Sequence, residues 1–199
     1  MRTADIKKEE QTKAAIIQAA QKMIRAYGFD KTTMEDIARA CSMGKSSLYY
    51  YYKSREEIFL ATAFAEMNEL QKKVDTAVAK CKTPQEKFRT LLLTRYYGIK
   101  SMMILYSVLL KESTKYIDLV KKVQNTSHKM EIDSITKIVE EGMAQGAFKS
   151  VKKGEVHSLA AISMVLWRGL AANIIISGEI PPKSLKIESM VDAFVRGLQ

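Results

Sequence analysis

The 199-residue sequence predicts an all-α fold, and three observations carry that expectation. Glycine and proline are scarce, nine and three, and Pro84, Pro181 and Pro182 leave the first eighty residues free of the strongest helix breaker. Apolar residues recur three and four apart along nearly the whole chain. Neither strand-like alternation nor an internal repeat interrupts that pattern. With 47% hydrophobic and 27% charged residues, the composition belongs to a globular chain able to bury a core, not to a disordered one.

The elements follow in order. Ile16, Ala20, Met23, Ile24 and Tyr27 lie on one helical face and Gly28 stops it, giving a first helix of about 18 residues. A capping box, Thr32 with Glu35 or Thr33 with Asp36, opens a short second helix whose buried side is Met34, Ile37, Ala38 and Cys41. Ser42, Met43 and Gly44 form a turn, and a third short helix runs from Lys45 to about Tyr52. Ser54 with Glu57 repeats the capping spacing, so a fourth helix starts at Arg55 and reaches about Ala79. Two short helices joined by a tight turn and packed on a longer first one describe a helix-turn-helix unit. Beyond it, Thr83-Pro84-Gln85-Glu86 marks another start. Helical segments are expected at 84–97, 100–111, 115–145, 155–177 and 184–198.

Several function classes fall away. Two cysteines, Cys41 and Cys81, make neither a disulfide framework nor a metal spacing, so no metal site is expected. No Gly-rich phosphate loop or nucleophile motif appears, which argues against an enzyme and against a cofactor. The apolar run from Leu159 to Ile176 is interrupted by Arg168 and Asn173. It therefore reads as a buried interface helix rather than a membrane span, and the chain is expected in the cytoplasm. The net charge of +10 points to an acidic partner. Basicity is spread, with 11 Lys/Arg against 7 Asp/Glu in residues 1–56, but the stretch from Ile37 to Arg55 holds four basic residues and no acid.

That stretch contains four consecutive tyrosines, Tyr49 to Tyr52. Successive helical residues diverge by about 100°, so the four rings cannot all be buried. Leu48 and Tyr52, four apart, are placed toward the core against Ile16, Ile37 and Phe29. Lys45, Ser46, Ser47, Tyr49 and Tyr50 are left outward, where a recognition helix meets the major groove. Serines permit close backbone approach, and a tyrosine offers an apolar body for a thymine methyl and a hydroxyl for a phosphate. Arg55, at the start of the fourth helix, suits a phosphate by its charge and by the free N–H groups there.

The run TTMEDIARACSMGKSSLYYYYKSREEI resembles the DNA-binding domain of the tetracycline-repressor (TetR) family. Thr33, Ile37-Ala38, Leu48-Tyr49, Tyr51-Tyr52 and Ser54-Arg55 fall at matching places, as do Ala19-Ala20 and Tyr27-Gly28-Phe29. The turn departs from the pattern, with Cys41-Ser42 where a small residue and Gly are usual; Ser46 stands for a frequent Gly and Arg55 for Lys. The resemblance covers about 50 residues. It implies phosphate contacts at Thr33 and Tyr51, a DNA-binding domain at 1–54, and a larger helical effector-binding and dimerisation domain at 55–199. It implies a homodimeric repressor on a palindromic double-stranded DNA operator, released by a small apolar or amphipathic effector of unknown identity. The late apolar helices (Leu159, Ile162, Leu166 and Leu170; Ile187, Met190, Val191 and Phe194) would pair with their twofold mates. Candidate effector contacts are polar or adaptable residues within apolar runs: Arg95, Tyr96, Met102, Met103, Tyr106, His128, Trp167 and Asn173. The alternative is a DNA-bound regulator acting through a protein partner without a small molecule.

Overall fold

The computed structural model describes residues 2–98, 116–177 and 186–199, and among them every regular element is helical. In chain order these are α1 (Arg2–Tyr27), α2 (Met34–Ala40), α3 (Lys45–Tyr51), α4 (Arg55–Val78), α5 (Pro84–Gly98), α6 (Ile117–Ala144), a 3₁₀ turn (Lys153–Glu155), α7 (Val156–Ser177) and α8 (Ile187–Gly197). The segment expected at 100–111 lies outside the described residues. None of the described helices is long and apolar enough to cross a membrane.

The main difference from expectation is α1, which begins at Arg2 rather than near residue 10. Apolar spacing starts only at Ile16, so periodicity misses the polar first turns. Those turns are built from helix-favouring Lys, Glu and Gln, and are tied by a Glu9–Lys13 pair four apart at 2.7 Å. Gly28 ends the helix with φ +86°, a left-handed conformation that glycine adopts without strain, and its N–H donates to the Ile24 carbonyl at 2.9 Å.

The fold divides into two compact units. The first holds residues 2–68 and 116–123 and has two buried clusters. Ile16, Ala20, Met34, Ile37, Ala38, Leu48 and Ile58 form one, with Cys41, Met43, Tyr51 and Tyr52 packed against it half-buried. Ile24, Phe29, Phe59, Ala63, Met67, Tyr116 and Val123 form the other. Phe29 therefore belongs to a different cluster from Leu48, contrary to the sequence reading. Its ring lies 4.8 Å from Phe59 and 5.0 Å from Tyr116, and that aromatic stack outcompetes a place under α3.

The second unit holds residues 69–98, 124–177 and 186–199. Its α5 opens with the expected box: the Thr83 Oγ accepts from the Glu86 N–H at 3.2 Å, and the Glu86 carboxylate accepts from the Thr83 N–H at 3.1 Å. Phe88, fully buried, packs on Phe148 and on Phe194 of α8, while Arg89 pairs with Asp192 at 2.6 Å.

Candidate nucleic-acid interface

The local chemistry of residues 32–44 sets the aim of α3. Thr33, not Thr32, caps α2. Its Oγ accepts from the Asp36 N–H at 3.1 Å and donates to the Asp36 carboxylate at 2.6 Å, while its own N–H donates back to that carboxylate at 3.2 Å. Thr32 is fully buried and donates instead to the Gly28 carbonyl at 2.8 Å. These bonds hold the Asp36 carboxyl below the usual carboxylate range, with the Thr33 hydroxyl the leading cause. A lowered folded pKa stabilises above the ordinary carboxylate value and is lost as pH falls through the folded one. We therefore expect Thr33→Val to lower stability by about 1 kcal/mol near neutrality through the lost cap. The gap from wild type should narrow, in thermal melts, as the pH drops below the carboxylate range.

Between α2 and α3 the chain turns on Ser42, whose φ of +53° is left-handed. This is the position where the family pattern has glycine. The backbone geometry explains that preference, since a side chain there meets the carbonyl beside it. Ser42→Gly is expected to raise stability by about 0.5–1 kcal/mol, read as a shift in denaturant midpoint without change of slope.

On α3 only Leu48 is fully buried. Lys45, Ser46, Ser47, Tyr49 and Tyr50 are all exposed, Tyr50 by 70%. The Lys53 ammonium donates to the Tyr49 carbonyl at 3.0 Å, satisfying a free carbonyl at the helix end. Lys45 pairs with Glu35 of α2, which raises the lysine pKa and lowers that of the glutamate. Both side chains are more than half exposed, so the pair is weak and a phosphate can replace the carboxylate. Tyr51 is half-buried, its ring edge-on to Tyr50 at 5.1 Å, and Tyr52 is half-buried toward the core. The outward set is a contiguous polar and aromatic face on a seven-residue helix, held by one buried leucine.

Arg55 gives a different answer from the sequence reading. Its Nη1 donates to the carbonyls of Phe29 at 3.2 Å and Asp30 at 3.0 Å, and its Nη2 to the Tyr116 hydroxyl at 3.2 Å. The guanidinium carbon lies 4.4 Å from the centre of the Phe29 ring, and the Tyr116 hydroxyl in turn donates to Asp30. Five donors in a planar fork find three acceptors and an aromatic face inside the unit, and that outweighs a place at the surface. The side chain is thus a clasp on the α1–α2 loop rather than a free phosphate ligand. Thr33 is similarly occupied, because its hydroxyl proton goes to Asp36.

Residues 16–62 match the family model for bacterial regulatory proteins of the tetR family. The first unit thus carries a DNA-binding domain of the tetR type. The chain is 27% identical over 154 residues to the HTH-type transcriptional regulator QacR of Staphylococcus aureus, across 75% of this chain and 80% of QacR. It is 30% identical over 132 residues to the HTH-type transcriptional regulator YuxN of Bacillus subtilis, across 62% of this chain but only 44% of YuxN. The structure of FadR from Bacillus subtilis in complex with stearoyl-CoA matches with a TM-score of 0.66 at 15% identity, over 93% of this chain and 96% of that one. That similarity is one of fold. The relatives this chain matches are named as transcriptional regulators.

The effector candidates separate in the second unit. Tyr96 of α5 and Trp167 of α7 come together, their rings 5.8 Å apart, and Arg95 precedes Tyr96 on α5. Three residues that periodicity passes over join them: Gln71, Glu131 and Arg168. Arg168 had a visible signal, a cation inside an apolar run, whereas Gln71 and Glu131 look like ordinary residues of a solvated helix face. His128 stands exposed on α6 and lines neither described cavity; one isolated histidine in a polar stretch has no apolar surface to bury it. Met102, Met103 and Tyr106 lie outside the described residues, as does the side chain of Asn173 on α7. One cavity of about 850 Å³ opens beside Gln71, Met130, Ser134 and Ile138. A smaller one of about 500 Å³ adjoins Leu70, Leu93, Tyr97 and Gly98. Among the described residues no His/Cys/Asp/Glu group could hold a metal.

Proposed function

We propose that the chain is a homodimeric repressor that reads a palindromic operator with α3 and leaves it when a small apolar or amphipathic effector binds. The observation that carries this reading is the outer face of α3, where Lys45, Ser46, Ser47, Tyr49 and Tyr50 are all exposed while Leu48 fixes the helix from below. Residues 1–54 act as the reading domain and residues 55–199 as the effector and dimerisation domain. Base edges in the major groove are met by Tyr49, Tyr50 and the two serines, and phosphates by Lys45 and the Tyr51 hydroxyl. Dimerisation is supported by Ile162, Val165 and Leu166 on α7, spaced three and four apart and exposed by 58%, 62% and 61%. An apolar helical face of that kind is seldom left to water. Two copies would set their α3 helices about 34–36 Å apart, one turn of the operator.

An effector is supported by the 850 Å³ cavity, a volume suited to a small molecule. FadR, of the same fold, is known with stearoyl-CoA bound, so the architecture accommodates an amphipathic ligand. Such a ligand acts by population shift and moves the equilibrium only by its differential affinity for the two states. The test is selection of the wild-type dimer on random duplex DNA, followed by a metabolite screen for release from the enriched sequence. A palindrome with release supports the reading in full. A palindrome that no small molecule affects turns it toward a protein partner, and no enrichment at moderate salt removes the sequence-reading role.

A further inference from the structure

We propose that the outer face of α3 selects the C5-methyl group in the major groove, so that each operator half-site carries thymines beneath Tyr49 and Tyr50. This rests on the operator reading proposed above and names the chemical group that α3 recognises. Ser46, Ser47, Tyr49 and Tyr50 are exposed, and each ends in a hydroxyl. A hydroxyl both donates and accepts, so it fits the edge of any base and discriminates little. The guanidinium, the amide and the carboxylate discriminate by hydrogen bonding, because their fixed donors and acceptors match guanine, adenine and cytosine. α3 reads KSSLYYY and contains none of the three.

The basic side chains nearby are placed for other work. Lys45, the donor-only side chain of α3, bonds to Glu35 of α2 and meets a phosphate in the operator reading. Lys53 donates to the Tyr49 and Tyr50 carbonyls at 3.0 and 3.4 Å. Arg55 is held by the Phe29 and Asp30 carbonyls. Arg39 belongs to α2, the helix that crosses the DNA backbone in this motif. What α3 presents instead is aromatic ring: Tyr50 is 70% exposed and Tyr49 38%. The Tyr50 ring stands edge-on to Tyr51 at 5.1 Å, and Tyr51 packs on the buried cluster that holds Leu48. The exposed ring therefore has a set direction before DNA arrives. On the base edges of the major groove the thymine methyl is the one apolar group. A T·A pair thus offers these rings a contact that no other unmodified pair supplies.

The experiment uses the full-length protein and the duplex it selects from random DNA. Each recurrent T·A position is changed in both half-sites to U·A, to 5-methylcytosine·G and to C·G. Uracil removes only the methyl and leaves the hydrogen-bonding edge intact; uracil at thymines elsewhere in the duplex controls for altered DNA shape. Each methyl withdrawn from water contributes about fourfold in affinity, and a dimer meets it twice, so U·A should bind about 15-fold more weakly than T·A. The 5-methylcytosine·G duplex should bind close to T·A, and C·G should fall with U·A. Tyr49→Phe with Tyr50→Phe keeps the rings and should keep this methyl preference. Tyr49→Ala with Tyr50→Ala should erase it, so that T·A and U·A bind alike. Affinity that follows the base pair rather than the methyl overturns the proposal, as does a preference lost with the hydroxyls in the Phe variant. A selected palindrome indifferent to uracil overturns it while the regulator reading stands, whereas no selected sequence at all removes both.

Discussion

A Leu166→Glu chain is expected to sediment as a folded monomer and to bind operator DNA at least about 100-fold more weakly than wild type. Leu166 shares an outer face of α7 with Ile162 and Val165, and each keeps more than half of its surface in water. Covering the three side chains on both copies of a twofold pair removes six apolar groups from solvent. At about 1.5–3 kcal/mol for each full burial, half-burial still leaves several kcal/mol to drive association. A carboxylate there occurs twice, beside its own symmetry mate, and must be desolvated or repelled. The operator loss follows because two linked reading heads gain about 10²–10⁴ in avidity over one. Analytical ultracentrifugation and an operator titration, with circular dichroism as the folding control, check both halves. A variant that stays dimeric would move the interface to another surface.

The second large effect is expected at Tyr50, with Tyr49 beside it. Changing both to Ala should blur the selected sequence while leaving non-specific DNA binding nearly intact. Removing one side chain from a base edge costs about 1–3 kcal/mol. A dimer carries every such interaction twice, so the same removal in both protomers costs about 2–6 kcal/mol, a factor of about 30 to 10⁴. Lys45→Ala should behave differently, weakening all sequences evenly and flattening the salt dependence. Selection and salt titration on the same variants separate the two. If the double change at Tyr49 and Tyr50 leaves the selected sequence sharp, the tyrosines face water and another element reads the bases. Arg55→Ala is not an equivalent phosphate probe, because its guanidinium ties Phe29, Asp30 and Tyr116 together, and its removal is expected to loosen the unit itself.

Most of the reading head is legible in the sequence because local rules govern it. Capping spacings, a turn and one buried leucine fix α2 and α3, and each acts over a few residues. Even the choice between Thr32 and Thr33 is open only by one position. The start of α1 is not legible from periodicity, since residues 5–11 are exposed and the helix there rests on propensity and the Glu9–Lys13 pair. For the second unit the sequence yields helix limits and apolar faces, and little about which polar residues meet.

What the sequence by itself determines is therefore the helical class, the helix-turn-helix and the outward residues of α3, all set by interactions between near neighbours. Only tertiary structure decides the fates of Arg55 and Arg95. Arg55 stands at a surface-like helix start yet turns inward, because Tyr116, 61 residues later, meets it with a hydroxyl. Arg95 stands in an amphipathic helix like many others, and becomes a buried, hydrogen-bonded cation because Gln71 and Glu131 come from two other helices. A guanidinium accepts any partner within reach, so its role is settled by the packing that brings the partners close.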